Sequence, residues 1–274
     1  MKEVRREEVL NCPCCGRGDI LRCFFDWNKI LYQVCKDCNS VYQNPRIIFE
    51  YEENYWGDVV DPDGKKRNLK SEKDFKIKNW YGDTANYING LTVGKILDVG
   101  AGLGFFLSAL NPDWEKYAIE VSKYAVDFME DQYSDISVQQ CVLEDADFGE
   151  NQFDVIMFYH VIEHLENPNK ILKILHKLLK HNGVLIVGTP NIGSLAARIF
   201  KGNFRLYGPG HLCLFNPKSL KWVLSESAFR VYRTEYPFWK TDYANIKNVT
   251  RMFNLNQISP PFYGSLMTFY ARKK

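Results

Sequence analysis

The chain lacks any apolar run approaching the roughly 18 residues that a membrane-crossing helix requires, so an integral helical membrane protein is not expected. Its first residues, Met1-Lys-Glu-Val-Arg-Arg-Glu-Glu, lack the apolar stretch of a secretion signal, and a cytoplasmic location is the expectation that follows. There is no internal repeat and little net charge, 35 Lys+Arg standing against 33 Asp+Glu. What is present excludes disorder as the default: 46% of the side chains are hydrophobic, 25% charged and 15% aromatic. At 274 residues, one ordinary domain with a small appended module fits better than two full domains, which cluster near roughly 100 to 150 residues.

The charge is unevenly spread. Residues 1–197 carry 22 Lys+Arg against 30 Asp+Glu, whereas 198–274 carry 13 against 3. A basic C-terminal stretch on an acidic body can attract a phosphorylated substrate, nucleic acid or an anionic membrane surface, or can simply be a solvated face.

Six of the eight cysteines, 12, 14, 15, 23, 35 and 38, crowd the first 40 residues. In a reducing compartment such a cluster reads first as metal ligands. Cys12-x-x-Cys15 and Cys35-x-x-Cys38, with 19 residues between the pairs, match a four-thiolate zinc site in which each of two tight turns presents two sulfurs to one tetrahedral ion. Four thiolates leave no open coordination position, so the ion would be structural. Iron held as in rubredoxin is the minor variant. Cys14 could replace Cys12, and Cys23 is expected to be a small buried hydrophobe. Residues 1–45 therefore read as a zinc-ribbon-like module, 46–92 as a linker and helical cap, and 93–274 as the main domain with inserts between late strands. Within the linker, Val60-Asp-Pro-Asp-Gly-Lys-Lys-Arg is turn-rich and charged, which predicts an exposed loop.

From Lys95 onward short apolar runs alternate with helical ones, the pattern of an α/β sheet flanked by helices. The runs are 96–99, 115–120, 153–159 and 184–188, with further strands expected at 229–236 and 266–271. Ile171, Leu172, Ile174, Leu175, Leu178 and Leu179 recur at helical spacing, with Gly183 as the expected stop. Asn216-Pro217 is an N-cap and first-turn pair for a helix burying Leu220, Val223 and Leu224.

Lys95-Ile-Leu-Asp-Val-Gly-Ala-Gly-Leu-Gly-Phe-Phe-Leu107 is a strand, a turn with Gly100, Gly102 and Gly104, and a helix start. Such a turn lets backbone approach a ligand closely. Glu120 ends the next strand, where it can accept from ribose hydroxyls. The loop reads G-x-G-x-G and not G-x-G-x-x-G, and Asp98 stands two residues before its first glycine. A carboxylate there would repel a pyrophosphate and suits a cationic ligand; S-adenosylmethionine offers an ammonium, a sulfonium and a ribose.

Ile96-Leu-Asp-Val-Gly-Ala-Gly-Leu-Gly104 resembles motif I of the class I S-adenosylmethionine-dependent methyltransferases. Phe153-Asp154-Val155, Ile162-Glu-His-Leu165, residues 183–190 and residues 211–215 resemble, in order, later segments of the branch that includes the ubiquinone O-methyltransferases. The resemblance covers about residues 84–235. It implies a Rossmann-like, mostly parallel sheet with its last strand antiparallel. It further implies S-adenosyl-L-methionine at Asp98, Gly100, Ala101, Gly102, Gly104, Phe105, Glu120, Val121, Leu143, Glu144, Tyr159 and His160. In one departure, Val142 stands where the family usually has an aspartate for the adenine amino group; contact there falls to Leu143 backbone, Glu144 or Asp145. The cysteine module, followed by Asn44-Pro45-Arg46 and Tyr55-Trp56, is similar to the zinc-ribbon start of some bacterial methyltransferases of carbohydrate or natural-product modification.

Methyl transfer is an in-line displacement at an activated carbon. Positioning can supply ~7 to 11 kcal/mol, against a factor of about 10² to 10⁴ from a general base. His160, at the end of a strand, and His211, after the loop Tyr207-Gly-Pro-Gly, are the candidate bases. His160-x-x-Glu163-His164 also reads as an inverted zinc-protease motif, but that motif must lie in one helix and His160 ends a strand. Glu163 and His164 could instead hold a divalent ion that polarises a hydroxyl, or fix the turn after the strand. Tyr51, Tyr55, Trp56, Trp80, Tyr81 and Tyr207 could close over the site, although most read as core. The acceptor expected is a small molecule, possibly phosphorylated: a sugar, a nucleotide-linked sugar or a related metabolite. The alternatives are an RNA methyltransferase whose ribbon reads RNA and a binding module that has kept the fold. The amino-directed Pro-Pro-aromatic tetrapeptide and a sheet-borne Pro-Cys are both missing, which weakens the nucleic-acid reading.

Overall fold

The computed structural model describes residues 5–48, the backbone of 58–60, and residues 66–274. Tyr51, Tyr55 and Trp56 lie outside the described residues.

The N-terminal module is built on β1 (Ile20–Phe25), β2 (Leu31–Cys35) and β3 (Val41–Gln43), paired antiparallel in that order. The main sheet begins with β4 (Lys95–Val99), β5 (Glu115–Glu120), β6 (Ile136–Gln140), β7 (Phe153–Tyr159) and β8 (Leu179–Pro190). A short strand β9 (Cys213–Leu214) follows, then β10 (Phe229–Glu235) and β11 (Leu266–Lys273). The seven-stranded sheet has the order β6-β5-β4-β7-β8-β11-β10. Strands β4 to β8 pair in parallel, whereas β11 runs antiparallel to both β8 and β10, as expected of a Rossmann-like methyltransferase sheet. Central strands read as apolar runs because both faces are covered: six of the seven residues of β7, all but Asp154, are apolar or aromatic, and Val155 to Phe158 are all buried.

Helix α1 (Gly82–Asn89) precedes the sheet, α2 (Phe105–Ser108) follows the glycine loop, and α3 (Lys123–Gln132) follows β5. Helix α4 (Pro168–Leu178) starts where the Asn167 side chain accepts the Lys170 amide and Pro168 fixes the first turn; it buries Ile171, Leu172, Leu175 and Leu178. It ends at Leu178, earlier than the expected stop: Leu179 is already in β8, opposite Phe153, and Gly183 lies within that strand. A Cβ on Gly183 would sit 2.7 Å from Leu179 Cγ, so a close approach and not a helix cap demands the glycine. After α5 (Leu195–Phe200), α6 (Pro217–Glu226) has the expected Asn216 cap, closed into a box by Ser219, and buries Leu220, Val223 and Leu224; α7 (Ile246–Arg251) lies in the insert between β10 and β11.

Residues 61–65 of the stretch expected as a loop lie outside the described residues; on either side of them Asp58–Val60 pairs antiparallel with Lys66–Asn68. Arg67, in the second of these strands, is ion-paired to Glu72 and reaches Tyr243 Oη at 3.5 Å. One expectation is corrected. Cys23 is exposed on the edge strand β1: its neighbour Phe24 turns inward onto Tyr32 and Tyr207, and alternation along the strand leaves Cys23 on the outer face. Among the described residues no helix is long and apolar enough to cross a membrane.

Candidate active site

Strand β4 lies between β5 and β7, so chain connections depart in opposite directions on its two sides and leave a crevice beyond the strand ends. A cavity of about 570 Å³ occupies that crevice, a size suited to a cofactor with a small partner. Asp98, Gly100, Ala101 and Gly102 line it from the glycine loop, with Phe105 behind them. Glu120, Val121, Leu143 and Glu144 line it from the β5 and β6 ends, and Tyr159, His160 and His211 from the other side. Gly104 does not: at φ +70° it caps α2, with Met129 and Tyr133 where a Cβ would point. Val142 also borders the cavity, and Glu144 is paired at 3.3 Å with Lys170.

The two acids differ in what surrounds them. Glu120 is buried and already accepts the Gly102 amide at 2.8 Å and those of Val121 and Ser122 at 2.9 Å, so it holds the glycine loop against β5. Burial raises its pKa against the pull of those amides. Asp98 accepts no hydrogen bond from the described residues. Burial, with the charge of Glu120 adding to it, pushes its pKa up to about 7. A buried carboxylate of this kind is stabilised by a cation, which restores its ionised form.

On the opposite wall His160 follows β7 with φ +56°, a conformation uncommon outside glycine, its amide tied to Gly188 O at 2.8 Å. Its Nδ1 lies 3.1 Å from Oε1 of Glu163, whose Oε2 accepts the Thr189 hydroxyl at 3.0 Å. Burial would raise Glu163, but the His160 hydrogen bond and the nearby histidines outweigh it and hold the carboxyl at about 2. With Nδ1–H directed at a carboxylate, Nε2 of His160 is left as the basic nitrogen. His211 is arranged alike: Nδ1 faces Leu206 O at 2.6 Å, and burial lowers its pKa, so the ring is neutral near pH 7. His164 Nδ1 faces Gly210 O at 2.7 Å, and burial together with His211 lowers it to about 4. Glu163, His164 and His211 offer ligand atoms all within 4.8 Å of one another, so the cation-holding pair considered from sequence gains a third member. Because His160 follows the end of β7 and the next turn spans Ile162–His164, the protease-like spacing does not fall on one helix.

Of the aromatics named from sequence, Tyr81 lines the cavity, edge-on to Phe106; sequence reasoning missed Tyr243, a second lining residue packed edge-on against Trp80, and Arg67 beside it. No motif marks them, whereas the three-residue spacing of His160 and Glu163 could have shown the dyad. Tyr207 is core, packed between Phe24, Tyr32 and Phe204.

In the N-terminal module the sulfurs of Cys12, Cys15, Cys35 and Cys38 converge, with Cys12 to Cys38 at 3.7 Å and Cys15 to Cys35 at 3.5 Å. Four thiolates about 2.3 Å from one zinc stand ~3.8 Å apart, so the spacing fits such an ion. Each pair is carried on a tight turn: Gly16 N donates to Cys12 O and Asn39 N to Cys35 O. Cys14 is buried outside this group, its thiol between those of Cys12 and Cys213. None of the eight cysteines is in a disulfide.

An acid-bordered glycine loop at the switch point of this sheet, with its antiparallel last strand, defines the fold of S-adenosylmethionine-dependent methyltransferases. The chain belongs to the methyltransferase-domain family, whose profile matches residues 63–234. The ubiquinone biosynthesis O-methyltransferase of Histophilus somni is 31% identical over 113 residues, 38% of this chain and 48% of that protein. The chain thus spans about half the length of such relatives. A chain in the complex between the Haloferax volcanii Trm112 methyltransferase activator and a putative methyltransferase matches with a TM-score of 0.60 at 11% identity, over 82% of this chain and 98% of that one. The Burkholderia thailandensis 1,6-didemethyltoxoflavin-N1-methyltransferase, solved with its substrate and S-adenosylhomocysteine, matches at 0.50 and 16% identity, over 74% and 81%.

Proposed function

We propose that the protein transfers the methyl group of S-adenosyl-L-methionine to a small-molecule acceptor, a hydroxyl-bearing sugar, nucleotide-linked sugar or related metabolite. The observation that carries this reading is the single cavity in which Asp98 and Glu120 face the His160–Glu163 pair. Glu120 takes the ribose, Asp98 the cationic methionine end, and Val121, Leu143 and Glu144 border the adenine. The wall at Tyr159, His160 and His211 is left to the acceptor. His160, oriented by Glu163, removes the acceptor proton, and His211 stands beside it. A zinc ion on Cys12, Cys15, Cys35 and Cys38 holds the N-terminal module. A divalent ion on Glu163, His164 and His211 would be a second way to activate a hydroxyl, and it predicts activity that is lost with a chelator and restored by the metal.

RNA methylation is the competing reading. Against it, the metal-binding end of the ribbon is turned into the protein: Asn169 reaches Cys14 O, Asn216 reaches Asn39 O, and the four cysteines lie in or beside the main core. The test uses methyl-labelled S-adenosylmethionine with a fractionated cell extract. Label should enter the small-molecule fraction and fall about 100-fold or more with His160→Ala. Label in RNA, together with retention on RNA that drops steeply between about 50 and 200 mM salt, sinks the small-molecule reading.

Asp98 gives a pH signature. Free protein holds the Asp98 proton up to about pH 7, and the cationic cofactor binds the ionised form. Affinity should therefore rise roughly tenfold per unit as pH approaches 7 from below and level off above it. Calorimetry in buffers of different ionisation enthalpy should show a proton released on binding below pH 7. In Asp98→Asn both the slope and the proton vanish; a flat wild-type profile would remove Asp98 from the cation site.

A further inference from the structure

We infer that the N-terminal module is the positioning element of the acceptor site, acting through Gln43 and Tyr32 on the loop 206–211. This rests on the reading of His211 as part of that site. The loop contains Gly208, Pro209 and Gly210 and has no secondary structure of its own, the kind of segment that moves unless its backbone groups are held.

Here they are held from outside the domain. Gln43 is buried, and its Nε2 lies 2.9 Å from Gly208 O, 3.1 Å from Pro209 O and 3.0 Å from His211 O. Two N–H groups are thus shared among three carbonyls. Its Oε1 accepts the Ile47 amide at 3.1 Å, which fixes which end of the side chain faces the loop. The Tyr32 hydroxyl lies 3.0 Å from Gly208 O and accepts the Gly208 amide at 3.2 Å. The remaining captured carbonyls, Leu206 O and Gly210 O, are those taken by His211 and His164.

The two anchors stand on the strands that the cysteines join. Tyr32 is on β2, which ends at Cys35, and Gln43 ends β3, which starts just after Cys38. Beyond the loop, β9 pairs with β3 and completes the module's sheet from the main domain, with Gln43 N donating to Leu212 O. The clamped hairpin and the loop that aims His211 are therefore one hydrogen-bonded unit. Gln43 and Tyr32 are positioning residues: they touch neither cofactor nor acceptor in this arrangement and act through the loop backbone.

The test compares the full chain with Gln43→Leu, which keeps volume and removes the donor, and Tyr32→Phe, which removes one hydroxyl and keeps the ring. Hydrogen exchange at 206–211 should accelerate about tenfold or more in Gln43→Leu and by a smaller factor in Tyr32→Phe. Methyl transfer should lose kcat in Gln43→Leu while the KM for S-adenosylmethionine stays within about twofold of the parent. S-adenosylhomocysteine binding by calorimetry should stay within about twofold of the parent, since the cofactor wall is untouched. Unchanged loop exchange in both variants overturns the inference, and so does acceleration spread evenly over the whole chain. If Gln43→Leu does not fold, Tyr32→Phe decides alone. Absence of S-adenosylhomocysteine binding in the parent would refute the methyltransferase reading, while loop exchange would still judge the coupling.

Discussion

Glu120→Ala should weaken S-adenosylmethionine binding by about 100- to 10⁴-fold. Two hydrogen bonds from ribose hydroxyls to a carboxylate are worth ~1.5 to 3 kcal/mol each, and the alanine removes both. The same carboxylate holds Gly102, Val121 and Ser122 by their amides, so its loss also leaves the glycine loop without its tie to β5. The two contributions separate by measurement. Calorimetry with S-adenosylmethionine reads the whole loss, and exchange at residues 100–104 without ligand reads the loop's share. Adenosine alone, which keeps the ribose and lacks the methionine, should lose nearly as large a factor as the full cofactor. For Asp98→Ala the loss should instead be confined to ligands with the methionine end. An unchanged affinity in Glu120→Ala would mean that the ribose lies elsewhere.

Cys35→Ser should release the metal and unfold the N-terminal module. Binding of zinc by four thiolates contributes on the order of 10 kcal/mol of folding free energy in small peptides, more than a 40-residue segment supplies from its own core. The wild-type chain should contain one zinc ion by atomic absorption and the variant none. The melting temperature should fall, and the site should empty on acidification, because protons compete for the thiolates. The damage should also spread, since Cys12, Cys14, Cys35 and Cys38 share a core cluster with Leu212, Cys213 and Leu220. Exchange should rise through residues 12–48 and, by way of β9, at 206–214. A variant that lacks metal yet melts like the parent would show that the docked sheet holds without it.

Much of this molecule was legible in its residues where the chemistry is local. An apolar strand, a glycine turn and a helix start must follow one another in the chain, so Asp98 and Glu120 could be placed at adjacent strand ends by counting. The same holds for Asn216 with Pro217 at the start of α6, and for two cysteine pairs each spaced for a tight turn. Reading failed where a long-range neighbour overrode local preference. Leu179 leaves the helix to pack opposite Phe153, which turns Gly183 from a stop into a strand residue. Cys23 is apolar enough to be buried, but it stands on the outer face of its strand while Phe24 takes the inner one.

The sequence by itself determined the sheet, the glycine loop, the acids that border it and the four sulfurs, because each depends on spacing within one or two elements. Only the tertiary structure decided that Glu163 is itself held by Thr189, 26 residues on, and that Gln43 grips a loop 165 residues further along the chain. A hydrogen bond across such a separation carries no periodicity or motif. It exists only once the core has brought a side chain within about 3 Å of a partner far along the chain, and that juxtaposition belongs to the fold as a whole.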